Sequence, residues 1–502
     1  MKVLLLNPSY KDGLNKICER YYIRSGSRWP HSGVKIKGMM PHYLPFPFFL
    51  AYSASLLKEH GFDVYAIDAV ALDIDVDNLL NKIAVINPDI IFYEIVSLTA
   101  DYDFGLAAKI KNGCRAVIAA GGTHATTFAR NIITERGAID YVLKGEFEHS
   151  LLGLAEHLRG DREGFPAGIV FRKDSGVFDT GEPSLADPLD RLPFPLRDIF
   201  PANDSPDPSL YWDGFSQLRP AVQMQSSRGC PYRCYFCLWN QVFYGNGRYR
   251  SFSPQRVVDE MEEVAVKYKA REVYFDDDNF TADKERIVSL CSEISKRKLG
   301  IRWSCMGDTV NLTEELIGNM ADSGCIGIKF GIESASDRIL KNIGKPVNPK
   351  KIKEIVGFCR VSGIKTQAAF IVGLLGETGD DFKRTIDFAE GLDVDSIQVS
   401  IATPFPGTAF FDMLKEKEHL EDPGFREYDG KASASVYSGS LNGRQAGKIR
   451  SDFLTNWFLR RLFSPSWYLR HYRVFLRTLK GLGPWFISKQ LISLLVDEKR
   501  QQ

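Results

Sequence analysis

The run Ser227-Arg228-Gly229-Cys230-Pro231-Tyr232-Arg233-Cys234-Tyr235-Phe236-Cys237 concentrates more reactive chemistry than any other stretch of the chain. Cys230, Cys234 and Cys237 are separated by three residues and then two, in a chain with only nine cysteines among 502 residues. Cysteines so sparse overall do not build a disulfide scaffold, and thiolates so clustered read as metal ligands. Three ligands suit an iron–sulfur cluster that keeps one iron open for a further ligand. A structural zinc would need a fourth Cys or His close by, and none lies within thirty residues on either side. The competing reading is three incidental thiols on a loop. Other polar groups stand at the ends of apolar runs: Asp276, Asp277 and Asp278 after EVYF, Glu333 in GIES, and Gln367 before FIVGLLGE. The three acids suit either a ligand contact or helix capping.

Two series of strand-and-helix units must position these groups. In the first, apolar runs at 3–7, 63–68, 89–96, 116–122 and 141–146 alternate with amphipathic stretches around 48–59, 76–85, 102–111 and 125–135. That alternation predicts a doubly wound parallel sheet over residues 1–160, with ligands at the carboxyl ends of its strands. Those ends carry small and hydroxylic residues, among them Ser97, Thr99, Gly121, Gly122, His124, Gly145 and Glu146. A hairpin pattern at 168–178 and a proline-rich run at 183–208 read as a linker over 161–220. From 221 to 415, six strand patterns (AVQMQSS, EVYFDDD, IRWSC, GIKFGIES, TQAAFIVG, SIQVSIA) alternate with helices and predict a partial (β/α)6 barrel. The remainder, 416–502, reads as a helical cap. The fold class is therefore α/β: a doubly wound sheet, a partial barrel and a helical C-terminal segment.

CPYRCYFC on a loop after the first of six barrel strands resembles the radical S-adenosylmethionine (SAM) superfamily, and the resemblance covers roughly 221–410. It implies that Cys230, Cys234 and Cys237 hold a 4Fe-4S cluster whose open iron takes SAM, and that a 5′-deoxyadenosyl radical formed from SAM abstracts a substrate hydrogen. It further implies SAM contacts from Phe236, Glu333, Gln367 and Asp277. Leu375 stands where relatives often have Pro, a departure that touches turn stiffness. A doubly wound domain ahead of such a barrel is similar to the cobalamin-dependent radical SAM class. That likeness implies a corrinoid at the carboxyl ends carrying Ser97, Thr99, Gly121, Gly122, Gly145 and Glu146. The chain contains no D-x-H-x-x-G, so the lower-ligand histidine of other cobalamin enzymes is missing, as is common in this class. His124 reads as a turn residue rather than a cobalt ligand.

The resemblance implies a methyltransferase acting on an unactivated carbon of a small-molecule or lipid substrate, served by a low-potential electron donor such as ferredoxin or flavodoxin. A cyclase or rearrangement enzyme, a radical SAM enzyme without cobalamin, and a non-enzymatic corrinoid carrier are the alternatives. A methylthiotransferase would need a second three-cysteine cluster, and the N-terminal domain offers only Cys18 and Cys114. Cys291, Cys305, Cys325 and Cys359 read as core residues, although Cys305 and Cys325 stand where they could face the barrel interior. A formal net charge of +1 gives no overall attraction to nucleic acid. No signal-peptide pattern opens the sequence, and prolines break the uncharged stretch from Gly38 to Leu57, so a cytoplasmic protein is expected. Between Arg444 and Lys480 lie nine Lys or Arg and one acid, with aromatics such as Trp457, Phe463, Trp467, Tyr472 and Phe475 interleaved. This segment either caps the barrel or makes a peripheral membrane contact.

Overall fold

The computed structural model describes residues 1–174, 176–420, 424–430, 443–489 and 492. Parts of the expected C-terminal region (421–423, 431–442, 490–491 and 493–502) lie outside the described residues.

The first sheet begins with β1 (Lys2–Asn7), whose VLLLN is buried because a parallel neighbour flanks it on each side. A three-stranded antiparallel ribbon follows, β2 (Lys11–Gly13), β3 (Cys18–Ile23) and β4 (His31–Ile36). The sheet continues with β5 (Asp63–Asp68), β6 (Ile90–Glu94), β7 (Val117–Gly121), β8 (Tyr141–Leu143), β9 (Ile169–Lys173) and β10 (Gly176–Asp179). Its order is β10-β9-β8-β7-β6-β1-β5. The hairpin at 168–178 is thus not linker: β9 pairs antiparallel with β8 and carries the sheet past residue 160.

The second sheet contains β11 (Ala221–Met224), β14 (Glu272–Phe275), β15 (Arg302–Gly307), β16 (Cys325–Glu333), β17 (Lys365–Val372) and β18 (Ser396–Ile401). Between β11 and β14, β12 (Ser227–Gly229) and β13 (Tyr249–Ser251) form a small hairpin bracketing the cysteine loop. The six strands are parallel, in the order β11-β14-β15-β16-β17-β18. Among the described residues β18 does not pair with β11, so the barrel stays open. The segment before β11, expected as a connector, enters the lower lumen. Phe215 lies against Gly327, and Asp213 pairs with Lys329 at 2.7 Å.

The uncharged stretch from Gly38 resolves as a loop and the helix Phe48–Glu59, buried along ten of its twelve positions. Phe49 packs on Phe147 of the first domain and on Trp239 and Phe243 beside the cysteine loop. The apolar run is explained by burial between two domains. Among the described residues no helix is long and apolar enough to cross a membrane.

Two C-terminal helices, Gly443–Leu462 and Pro465–Leu482, close the outer side and the base of the barrel. Phe453 packs on Phe370, and Arg450 donates to the Val399 carbonyl of edge strand β18. His471 bonds Asp393 and Asp395, and Arg477 donates to the carbonyls of Ile326 and Gly363 at the strand starts. The cap expected from the sequence is present.

Candidate functional site at the facing sheet edges

The cysteine loop leaves the carboxyl end of β11 and is held by its own backbone. Cys237 N–H donates to the Cys234 carbonyl, and Gln241 donates to the carbonyls of Tyr235 and Cys237. Asn240 donates to the Tyr232 carbonyl and accepts from Cys230 N–H. Burial pushes the Cys234 thiol up to about 12 despite the nearby Lys345 ammonium, and raises Cys230 and Cys237 as well. Such thiols give up their protons when a metal takes the sulfur.

Among the described residues no three His, Cys, Asp or Glu side chains converge on one ion position. A three-thiolate, four-iron cluster asks instead for each sulfur on its own iron. The three thiols nonetheless act on one another electrostatically, with Lys345 acting on Cys230 and Cys234 and Asp278 on Cys230 and Cys237. Asn279 approaches Cys230 Sγ at 3.7 Å, and Asp278 Oδ1 is buried without a hydrogen-bond partner. A cysteine set flanked by an orphaned acceptor and a buried cation fits the cluster with a polar ligand beside it.

Phe236 is buried, edge-on to Trp29 at 6.0 Å. Glu333 sits at an irregularity in β16 with φ of +69°, where only a strained backbone aims its carboxylate inward. Its Oε1 accepts from Lys345 at 2.5 Å, so the local partner of Glu333 is a lysine next to Cys234. Gln367 lies elsewhere: it is the third residue of β17, opposite Lys329, closer to the strand's start than to its end. Asp277 is fully engaged, accepting from Ser226 N–H and from the hydroxyls of Ser226 and Ser227. It fixes the base of the cysteine loop and does not face a ligand. Cys305 and Cys325 are both buried. Cys305 shares a strand face with Trp303, which packs on Phe275 and Phe280, so that face meets the helices and not the lumen.

On the first sheet, Ser97 Oγ is 3.1 Å from His124 Nδ1, and Thr99 donates to Asp103 at 2.7 Å. A Cβ on Gly122 (φ +94°) would stand 2.7 Å from the Ile95 carbonyl, and one on Gly121 2.7 Å from Phe92. The chain's own packing requires both glycines. Gly145 is closed in by Pro183. Glu146 is committed to a buried ion-pair network: Arg250 donates to both its oxygens, and Arg228 lies 3.4 Å away and 2.6 Å from Glu148. This network ties the first sheet to the β12–β13 hairpin. Glu146 therefore joins domains, a role the sequence analysis did not give it.

The ribbon supplies residues that the sequence analysis missed. Arg28 pairs with Asp276 and donates to its carbonyl, and Trp29 lies between Phe236 and Phe405 with its indole N–H unpartnered. Arg24, fully buried, pairs with Asp103 at 2.5 Å. Burial raises the Glu94 carboxyl to about 7, and its Oε1 lacks a hydrogen-bond partner. Orphaned donors and acceptors on both facing edges are what a corrinoid, ringed with carboxamides, would satisfy.

Comparison with known proteins bears on this arrangement. The B12 binding domain model matches residues 42–155, and the Radical SAM superfamily model matches 224–389. An uncharacterized methyltransferase of Pyrococcus horikoshii is 31% identical over 386 residues, covering 76% of this chain and 81% of that protein. The chain belongs to the B12-binding radical SAM family. Its cofactors are those of the family: a 4Fe-4S cluster, SAM and cobalamin. The anaerobic magnesium-protoporphyrin IX monomethyl ester cyclase of Rubrivivax gelatinosus is 26% identical over 496 residues, covering 94% of this chain and 81% of that protein. In fold, the chain is similar to the radical SAM methyltransferase TsrM from Kitasatospora setae, solved with cobalamin and a 4Fe-4S cluster bound. That match has a TM-score of 0.67 at 18% identity and covers 100% of both chains.

Proposed function

We propose that the protein transfers a methyl group to an unactivated carbon of a small molecule or lipid. The observation that carries this reading is the apposition of the carboxyl edges of the two sheets, with the cysteine loop between them and Trp29 bridging from the ribbon. When bound, cluster and SAM supply a 5′-deoxyadenosyl radical, and cobalamin supplies a transferable methyl group.

In this reading Cys230, Cys234 and Cys237 hold the cluster, and Phe236 with the Glu333–Lys345 pair receives SAM beside it. Ser97, Thr99, Gly121, Gly122 and Gly145 line the corrinoid edge, while Asp277 and Glu146 hold the loop and the domains in place. Gln367 lies beside the Lys329–Asp213 pair near the strand starts and takes no part in this reading. Arg28, paired with Asp276 and in contact with the Met306 sulfur, lies between the ribbon and the strand ends of the barrel. A low-potential donor such as ferredoxin or flavodoxin supplies electrons.

The test is anaerobic turnover of the reconstituted protein with SAM and a reductant. The reading expects both 5′-deoxyadenosine and S-adenosylhomocysteine, the latter only when cobalamin is present. 5′-Deoxyadenosine alone, with no cobalamin-dependent S-adenosylhomocysteine, would refute methyl transfer. It would favour the cyclase-type outcome, whose named relative spans more of the chain.

A further inference from the structure

The helix Pro465–Leu482 is amphipathic with its polarity reversed. Its inward positions recur with helical spacing at Trp467, His471, Val474, Arg477 and Gly481. Several of these grip the barrel base through polar bonds: Trp467 to the Val394 carbonyl, His471 to two aspartates, and Arg477 to Gln217 and two carbonyls. Gly481 is pressed against the Gln217 carbonyl, where a Cβ would stand at 2.1 Å.

The outward positions carry the apolar residues. Leu469 is 75% exposed, Phe475 57% and Tyr472 50%, and Phe463 (78%) and Trp485 (73%), just outside the two helix ends, are exposed as well. Burying apolar surface normally holds a helix to its protein; here the apolar side is left to solvent.

The same helix forms one wall of a cavity of about 380 Å³ at the barrel base, lined by Leu218, Arg271, Tyr472, Arg473, Arg477 and Lys480 among others. The lining holds four cations and no acid. Among the described residues no carboxylate forms an ion pair with any of the four. By contrast, Arg460 and Arg470, farther along the cap, are paired with Glu390 and Asp393.

We infer that this face docks on an anionic membrane surface, with Leu469, Tyr472 and Phe475 entering the acyl boundary and a lipid phosphate in the basic cavity. Apolar side chains flanked by uncompensated cations are the composition that seats a helix in a bilayer interface. Seated this way, the barrel base meets the membrane and the cysteine loop, at the opposite ends of the strands, faces away from it. The inference goes beyond the proposed reaction and does not require it.

The test is flotation of the reconstituted full chain with vesicles of phosphatidylcholine alone or with about one third phosphatidylglycerol. Binding to the anionic vesicles only is expected. R473Q/K480Q should weaken it about 25-fold, at about fivefold per cation near the surface. L469S/F475S should abolish it. Iron content and melting temperature report that both variants fold. Equal binding to neutral vesicles, or none to either, overturns the proposal. So does a homodimer in sedimentation velocity that L469S/F475S dissociates, because the face would then be covered by a second copy. Flotation involves no turnover, so its failure leaves the methyl-transfer reading intact.

Discussion

Replacing Arg24 by methionine isolates the contact that holds the ribbon tip over the cofactor edge. Arg24 and Asp103 are both fully buried and pair at 2.5 Å. Tyr10 and Thr99 complete the shell around the carboxylate. Methionine fills much of the space but leaves Asp103 without its cation. Breaking a buried pair from one side costs about 3–5 kcal/mol. For a domain of this size that lowers the melting temperature by roughly 6–20 °C. Burial already raises the Asp103 carboxyl above its ordinary value with Arg24 in place. Without Arg24 it rises further, so the folded variant takes up a proton that the unfolded chain holds only at lower pH. Stability of R24M is therefore lost as pH rises through that folded value, and its deficit should be larger at pH 8 than at pH 5.5. Adding D103N removes the stranded charge and should recover about half of the loss. Thermal melts of the four proteins at both pH values decide the matter. A deficit below about 1 kcal/mol, or one independent of pH, would refute the claim that this pair is a buried structural anchor.

Three further outcomes are expected. E333Q, which removes the charge facing Lys345, should weaken SAM binding about 10–100-fold by equilibrium dialysis while iron content stays at the parental level. G122A forces a Cβ to within 2.7 Å of the Ile95 carbonyl at φ +94°, so chemical denaturation should show a loss of about 1–3 kcal/mol or more. Burial depresses His124 to about 3, so its contribution to stability is present above its ordinary value and lost as pH falls. Between pH 7 and 5 the parent should lose about 2 kcal/mol that H124Q does not, measured by urea titration.

The cysteine motif was legible because its information is local: three thiols spaced on one loop define the cluster without any long-range contact. The two alternating series were legible for a similar reason, since parallel strands buried on both faces read as continuous apolar runs. The ribbon was not, because β2 to β4 are short, carry polar residues such as Lys11, Asp12, Glu19 and Lys35, and pair only with each other. Asp276, Asp277 and Asp278 show the limit within the site. Their position at a strand end was evident, but only the fold shows that Asp277 is consumed by Ser226 and Ser227 while Asp278 keeps a free oxygen. Strand alternation, which places Asp278 on the same side as Tyr274 and Asp276, was the available signal. Glu146 looked like a ligand residue because its partners, Arg228 and Arg250, come from the other domain. Lys345 had no local signal; it reaches Glu333 only after the intervening helix Asp337–Ile343 folds back.

The central expectation is two cofactor sites facing one another within a single chain. Anaerobic reconstitution with iron, sulfide and hydroxocobalamin, followed by desalting, metal analysis and an absorption spectrum, tests that most directly. About four irons and one cobalt per chain are expected, with C230S losing iron but keeping cobalt. Iron retained without cobalt would contradict it, leaving a barrel whose N-terminal sheet serves some other ligand.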